Sequence, residues 1–287
     1  MKFKSPIRLD FLSITALVLI IIFLLAAVAA PLLYPDIYEH INGTKAYNRE
    51  GYNFVQPELP SLSHPFGMNR MGLDILELVV WGLRPLIVIG LVAGVICVIA
   101  GVFVGTMAGY FDNFISDVIS RSFDILLPFS SLAMLVFIVF VVGSLNMTGI
   151  ILVFSMTFWV RVARVIRAEV IKMKEQPFIT GAKAIGAYQV HIIYKYIFRN
   201  MGSTLVNMFF HTFSEIIFVS AALSFLGINY FTTLAPYDLG RLVAMGYATL
   251  SVYWWESIFP GLILLLFILS FNILGNYLDF NEKYRVY

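Results

Sequence analysis

Pro177-Phe-Ile-Thr-Gly-Ala-Lys-Ala-Ile-Gly186 lies inside Arg161–Asn200, the one long polar island in a chain that otherwise reads as membrane. Eight of the nineteen Lys and Arg fall in this island: Arg161, Arg164, Arg167, Lys172, Lys174, Lys183, Lys195 and Arg199. Its centre has the grammar of a short helix. Pro177 opens it, because a missing N–H costs nothing at the first helical position. Phe178, Ile179, Ala182 and Ile185 set an apolar stripe at helical spacing. Gly186 supplies a stop, being able to take the left-handed conformation at a helix end. On composition alone two readings stand side by side: an apolar-faced docking helix, and an ordinary basic loop.

Outward from the island the chain is apolar. Of its 287 residues 60% are hydrophobic and 13% charged, with a mean hydropathy of +0.87. A soluble domain of this size could not cover that much apolar surface. Six hydrophobic runs, several of them uncharged, approach the roughly 20 residues that cross a bilayer as helix. They are Phe11–Tyr34, Pro85–Tyr110, Ile125–Val142, Ile150–Val160 running on towards Val170, Ser203–Leu226 and Ser257–Asn276. The runs are continuous rather than alternating, which favours an all-α polytopic protein over a barrel. The first run is longer than a signal-peptide core, although Ala26–Ala30 has the small residues of a cleavage site. The single cysteine, Cys97, lies within a span and excludes an internal disulfide or a CxxC site.

Basic residues set the expected orientation. With six spans both termini share a side, and that side takes Lys2, Lys4, Arg8, Arg121, the island and the tail residues Lys283 and Arg285. The opposite side takes only Lys45, Arg49, Arg70, Arg84 and Arg241. Both termini and the island are therefore expected in the cytoplasm of a cell (plasma or inner) membrane protein. The segment Pro35–Arg84 and the loop Gly227–Trp255 are expected outside, with glycan-type acceptor patterns at Asn42 and Asn146. The division of the chain follows: residues 1–84 hold the first span and outer loop, and residues 85–287 form the transmembrane core with its 161–200 region.

Three further patterns bear on function. Gly90, Gly94, Gly101, Gly105 and Gly109 recur at four-residue spacing in the second span, which lets helix backbones approach closely in lipid. The reading is a static packing face or a moving helix. In the fifth span Asn207, His211 and Ser214 share a stripe, with Glu215 at its edge. Ionisable residues at membrane depth normally face protein or water, so these four are candidates for a translocation path or gate. His211 and Glu215, four apart, can touch on a helix, which leaves a proton relay or a plain interhelical pair open. Soluble-enzyme chemistry is not supported. There is no Gly-Lys pair and so no phosphate-binding loop, no metal-ligand spacing among His40, His64, His191 and His211, and no G-x-S-x-G turn. The chain is expected to have no catalytic, metal or cofactor site of its own.

Three separated blocks resemble the second (C-type) permease of dipeptide, oligopeptide and nickel importers of the ABC class. The first is His64-Pro-Phe-Gly-Met-Asn-Arg-Met-Gly-Leu-Asp74, then Trp81-Gly-Leu-Arg-Pro85, Ala108-Gly-Tyr-Phe111 and Asp117 through Arg121 to Asp124. The second is the island, where Phe178–Tyr188, Ile192-Ile193 and Tyr196–Asn200 are similar to the family's Y-V-E-A-A-R-A-L-G-A-S, I-I and H-I-L-P-N. The third is Leu223-Ser-Phe-Leu-Gly227, Phe259-Pro-Gly261 and Phe271–Gly275. Here the family's signature Glu is Thr180, its next Ala is Gly181, its late Pro is Arg199, and the acidic residue before L-S-F-L-G is Ser220. The resemblance implies the type I ABC importer permease fold, with a coupling helix between spans four and five. It also implies a second, homologous permease, two cytoplasmic ATPases that bind ATP and Mg, and an external solute-binding protein. Phe178, Ile179, Thr180, Gly181, Ala182, Lys183, Ile185 and Gly186 would form the ATPase-docking element, resting on apolar burial because position 180 lacks the carboxylate. The outer segment would meet the binding protein, or plug or cap the pore. The expected cargo is a peptide or an oligosaccharide, since the path shows no acidic cluster for metal. The competing class is a proton-coupled secondary transporter using His211 and Glu215, and a third is a scaffold without a pore.

Overall fold

A computed structural model describes residues 11–35, 57–143, 146–228 and 237–283. All regular structure within them is helical. Five helices are long and apolar enough to cross a membrane, or six if one bent pair counts as a span. The Asn42 acceptor pattern and His40 lie outside the described residues.

The first span, α1 (Phe11–Leu33), buries Ala16, Ile20, Phe23, Ala27 and Ala30, a stripe at alternating three- and four-residue steps. Phe23 meets Phe267 edge to face at 5.3 Å, joining α1 to the last helix.

The second helix, α2 (Ile75–Tyr110), corrects the expected start at Pro85. Asp74 accepts from the Leu76 N–H at 2.7 Å and caps it ten residues earlier. Pro85 lies buried in its interior. A proline there forfeits one backbone bond, a loss that neighbouring helices make tolerable in membrane proteins. At roughly 1.5 Å per residue the helix is longer than a hydrocarbon core about 30 Å thick.

The glycine ladder of α2 is a packing face. A Cβ on Gly105 would lie 2.5 Å from the Ala163 carbonyl oxygen. On Gly101 and Gly109 it would meet Val162 and the Arg167 carbonyl at 2.6 and 2.8 Å. Gly90 and Gly94 admit Phe213 and Phe209 in the same way. Gly105→Ala should therefore lower stability by about 1–3 kcal/mol, the usual cost of overpacking. Thermal unfolding of the solubilised complex checks this, with Gly181→Ala as control because nothing lies within 4 Å of a Cβ there. Equal midpoints for the two variants would refute the packing role.

The expected third span, Ile125–Val142, is broken. The pair α3 (Phe114–Leu126) and α4 (Ser131–Val142) meet at a bend of 88°. Pro128 stands in the gap, where a residue without an N–H cannot carry the helix through. Charge content alone could not reveal the break, because the run is uncharged throughout.

The fourth span, α5 (Met147–Lys174), continues well past Arg161, as its short uncharged run suggested. Asn146 is its N-cap, accepting from the Gly149 N–H at 2.8 Å. The acceptor-pattern asparagine therefore has a local structural use. Beyond it come α6 (Pro177–Ala184), α7 (Gln189–Ile192) and a π-helical stretch, Ile193–Phe198. The remaining helices are α8 (Gly202–Phe225), α9 (Leu239–Tyr247) and α10 (Trp255–Lys283). Phe213 stacks on Phe271 at 4.1 Å and meets Phe267 edge-on at 6.1 Å, which fuses α8 to α10. Between them α9 fits closely, its Gly240 seated against the Ala221 carbonyl.

Candidate functional site: a coupling knob, an outer clasp and a polar cavity

The island folds as its sequence grammar requires. Pro177 occupies the first turn of α6, and Gly186 has φ +80°. The Ala187 N–H donates to Ala182 O at 3.1 Å and the Gly186 N–H to Lys183 O at 3.0 Å. These two bonds are the Schellman closure that needs a left-handed residue.

The apolar stripe, however, divides. Ile179 and Ala182 turn into the chain's own core beside Val170, Ile192 and Ile197. Phe178 and Ile185 remain outside, Ile185 at 84% exposure. Tyr188, Val190 and Tyr194 are also exposed, extending an apolar knob past the glycine. Spacing could not separate these groups, because helix periodicity marks a face without saying what covers it. Lys183 stands 5.7 Å over the Tyr110 ring, and Lys174 stands 5.9 Å over the same ring. Lys174 also donates to Asp112, which holds that carboxyl below its ordinary range. Thr180 Oγ1 lies 3.4 Å from Gln176 O, within its own helix. Gly181 is exposed.

At the opposite end, His64–Asp74 forms a clasp. Asn69 Oδ1 accepts from the Met71 and Leu73 N–H groups, both at 2.9 Å. Gly67 and Gly72 take φ +77° and +73°. The Arg70 N–H donates to Glu256 Oε1 at 3.0 Å, and its guanidinium reaches Met245 O at 3.0 Å. The Trp255 indole donates to Met68 O at 3.3 Å. The described part of the outer segment is thus strapped onto α9 and the start of α10.

His64 Nδ1 lies 2.8 Å from Asp74 Oδ2, and this hydrogen bond raises the imidazole above its ordinary value. A raised histidine value means that the stabilisation is complete below about pH 6.5 and is lost as pH rises through the folded value. Amide exchange at residues 61–74, corrected for intrinsic rates, should be slower at pH 5.5 than at pH 8, and His64→Gln should remove the difference. A pH-independent wild type would refute the linkage.

The fifth-span candidates meet different partners from those expected. His211 and Glu215 do not pair with one another. His211 Nε2 lies 2.9 Å from Asn276 Oδ1 on α10. Glu215 forms an ion pair with Arg161 of α5. Ser214 is buried and donates to Phe210 O at 2.9 Å. Asn207 is buried too, with Oδ1 facing Gly275.

Arg161 and Glu215 sit near the middle of α5 and α8, on the wall of a cavity of about 450 Å³. His211, Thr212 and Asn272 add polar lining, while Met208, Phe218 and Ile268 add apolar lining. Arg161 also borders the break between α3 and α4, with Leu127 and Phe129. Arg164 lies 3.7 Å from Asp124 of α3 on the same side. Sequence reading had placed Arg161 in the cytoplasmic island and did not assign a role to Asn272 or Asn276. The available signal was Asn272 and Asn276, four apart in an otherwise apolar span.

A multi-pass helical bundle with a polar notch partway along its helices and an apolar knob at one end fits a transport permease. The comparisons with known proteins agree. The family model for the inner membrane component of binding-protein-dependent transport systems matches residues 101–283. A dipeptide transport system permease protein of Alkalihalophilus pseudofirmus is 31% identical over 92% of this chain and 83% of its own length. An oligopeptide transport system permease protein of Bacillus subtilis is 30% identical over 94% and 84%. A glutathione transport system permease protein of Escherichia coli is 28% identical over 96% and 87%. The chain belongs to the family of inner membrane components of binding-protein-dependent transport systems, and is a multi-pass, non-catalytic subunit of an ABC importer. As such it works with an ATPase and a binding protein.

Proposed function

We propose that this chain is one of two homologous permeases that together form the pore of a peptide importer driven by two ATPases. The observation that carries the path is the uncovered charge halfway along α5. More than half of the Arg161 side chain is exposed in the single chain, and a cation within a spanning helix is costly against lipid. That face therefore turns to the second permease across a watered path, and the break between α3 and α4 fits the same reading. Irregular backbone at this depth is tolerated where it is buried in protein or lines a cavity.

The basic end faces the cytoplasm, with both termini, and its knob meets an ATPase through Phe178, Ile185 and Tyr188. Ile179 and Ala182 hold α6 on the permease, so that motion of the knob is passed to α5 and α8. Peptide cargo is favoured by the dipeptide, oligopeptide and glutathione relatives. The oligosaccharide alternative finds no support among them. The relay of a secondary transporter loses its geometric basis, because His211 and Glu215 have separate partners. The clasp at residues 64–74 offers the delivering binding protein a rigid outer surface.

The test is uptake into proteoliposomes holding the whole complex. Uptake of alanyl-alanine should require ATP and the binding protein. Uptake that survives ATP depletion but stops with loss of the proton gradient would overturn the proposal.

A further inference from the structure

We infer that the Arg161–Glu215 pair is a receptor for the free termini of a peptide, exchanging its internal ion pair for two pairs with the cargo. This rests on the peptide-importer reading above. The guanidinium presents a planar fork suited to a carboxylate, and Glu215 offers the matching acceptor for an ammonium group. The two belong to different helices, α5 and α8, joined in sequence through the coupling region, and both reach the same cavity. Its volume of about 450 Å³ lies within the roughly 300–1,000 Å³ usual for small-ligand sites.

The exchange keeps the site neutral. Unoccupied, Arg161 and Glu215 compensate each other. Occupied, the α-carboxylate sits on Arg161 and the α-ammonium on Glu215, so no charge of protein or cargo is left alone at membrane depth. A zwitterion that leaves bulk water for a protein-lined path loses part of its hydration, and pairing both charges offsets that loss. The rest of the lining fits a carrier tolerant of side chains. Met208, Phe218 and Ile268 form an apolar wall, and methionine adapts to varied shapes. Recognition thus falls on the two termini of a short peptide, the part that all dipeptides share.

Arg161, Glu215 and the cavity can be probed without the binding protein. The complete permease–ATPase complex carrying Met208→Cys in nanodiscs provides a thiol on the cavity wall. The native Cys97 is fully buried and serves as an internal blank. Alanyl-alanine at ten times its dissociation constant should slow labelling of the introduced thiol about tenfold, by simple occupancy. N-acetyl-alanyl-alaninamide at the same concentration should leave the rate near that of the peptide-free complex. Adding Arg161→Gln and Glu215→Gln together, a change that leaves no lone charge, should abolish protection by the free dipeptide. Equal protection by free and capped peptides, no protection by either, or protection that persists in the doubly neutral variant would each overturn the receptor. The importer reading fails separately, if the wild-type complex shows no ATP-dependent uptake.

Discussion

Gly186→Val should reduce ATP-driven uptake by about tenfold or more while ATP hydrolysis continues. Gly186 sits at φ +80°, and nothing lies within 4 Å of a Cβ built there. The variant is therefore disfavoured by backbone conformation and not by a clash. For an L-residue the left-handed region costs about 1–2 kcal/mol, and a β-branched side chain is a clear outlier there. That strain acts on the two bonds that close α6, Ala187 to Ala182 and Gly186 to Lys183. Relieving it by letting the turn open would swing Ile185 and Tyr188 away from their present positions. The ATPase would then lose its grip on the chain without losing its own chemistry. About 1.4 kcal/mol corresponds to a factor of ten, so the strain is of the right size. Uptake per ATP hydrolysed is the decisive measurement, and an unchanged ratio would refute the role of the turn. Thr180→Ala is the contrasting control. Its hydroxyl makes only a long contact inside its own helix, and the change should stay within about 0.5 kcal/mol, as for an ordinary surface substitution.

Glu215→Leu should lower both the stability of the complex and its uptake. It leaves Arg161 without its partner near the middle of α5. Breaking a fully buried pair costs about 3–5 kcal/mol. Arg161 is more than half exposed in the single chain, so solvent or a partner subunit screens part of that and the expected loss is about 1–3 kcal/mol. It should appear as a lower yield of assembled complex and a lower unfolding midpoint. Adding Arg161→Leu should recover much of the stability, because an apolar replacement of both partners leaves no stranded charge, yet uptake should stay low. Full uptake by the double variant would mean that the pair is structural only.

Much of the fold was legible because lipid leaves few options. A backbone without water must bond to itself, so long uncharged runs report helices directly, and five of the expected spans are continuous. The misses have local causes. Pro85 reads as a helix start, but Asp74 and the apolar residues after it carry α2 outward by ten residues. Pro128 reads as one more residue in an uncharged run, but it divides the third span. In the island, the closing signal at Gly186 was written in residue type, since a left-handed position at a helix end favours glycine.

Side-chain destinations were less legible. Phe178, Ile179, Ala182 and Ile185 obey one periodicity, yet two are core and two are surface. The division depends on Val170, Ile192 and Ile197, which come from other elements. Arg161, read from sequence as the first residue of the basic island, is also the counter-charge of Glu215. Likewise His211 and Glu215, near neighbours along one helix, point to Asn276 and Arg161 on two others.

The sequence by itself determined the class, the number of hydrophobic runs, the lack of a nucleotide-binding loop and the turn that ends α6. All of these depend on local composition or on the conformational range of a single residue. The tertiary structure alone decided which apolar faces are covered, which charges are paired and where the polar cavity opens. Those outcomes depend on helices distant in sequence, and a pair such as Arg161 and Glu215 can be recognised only when both helices are in place.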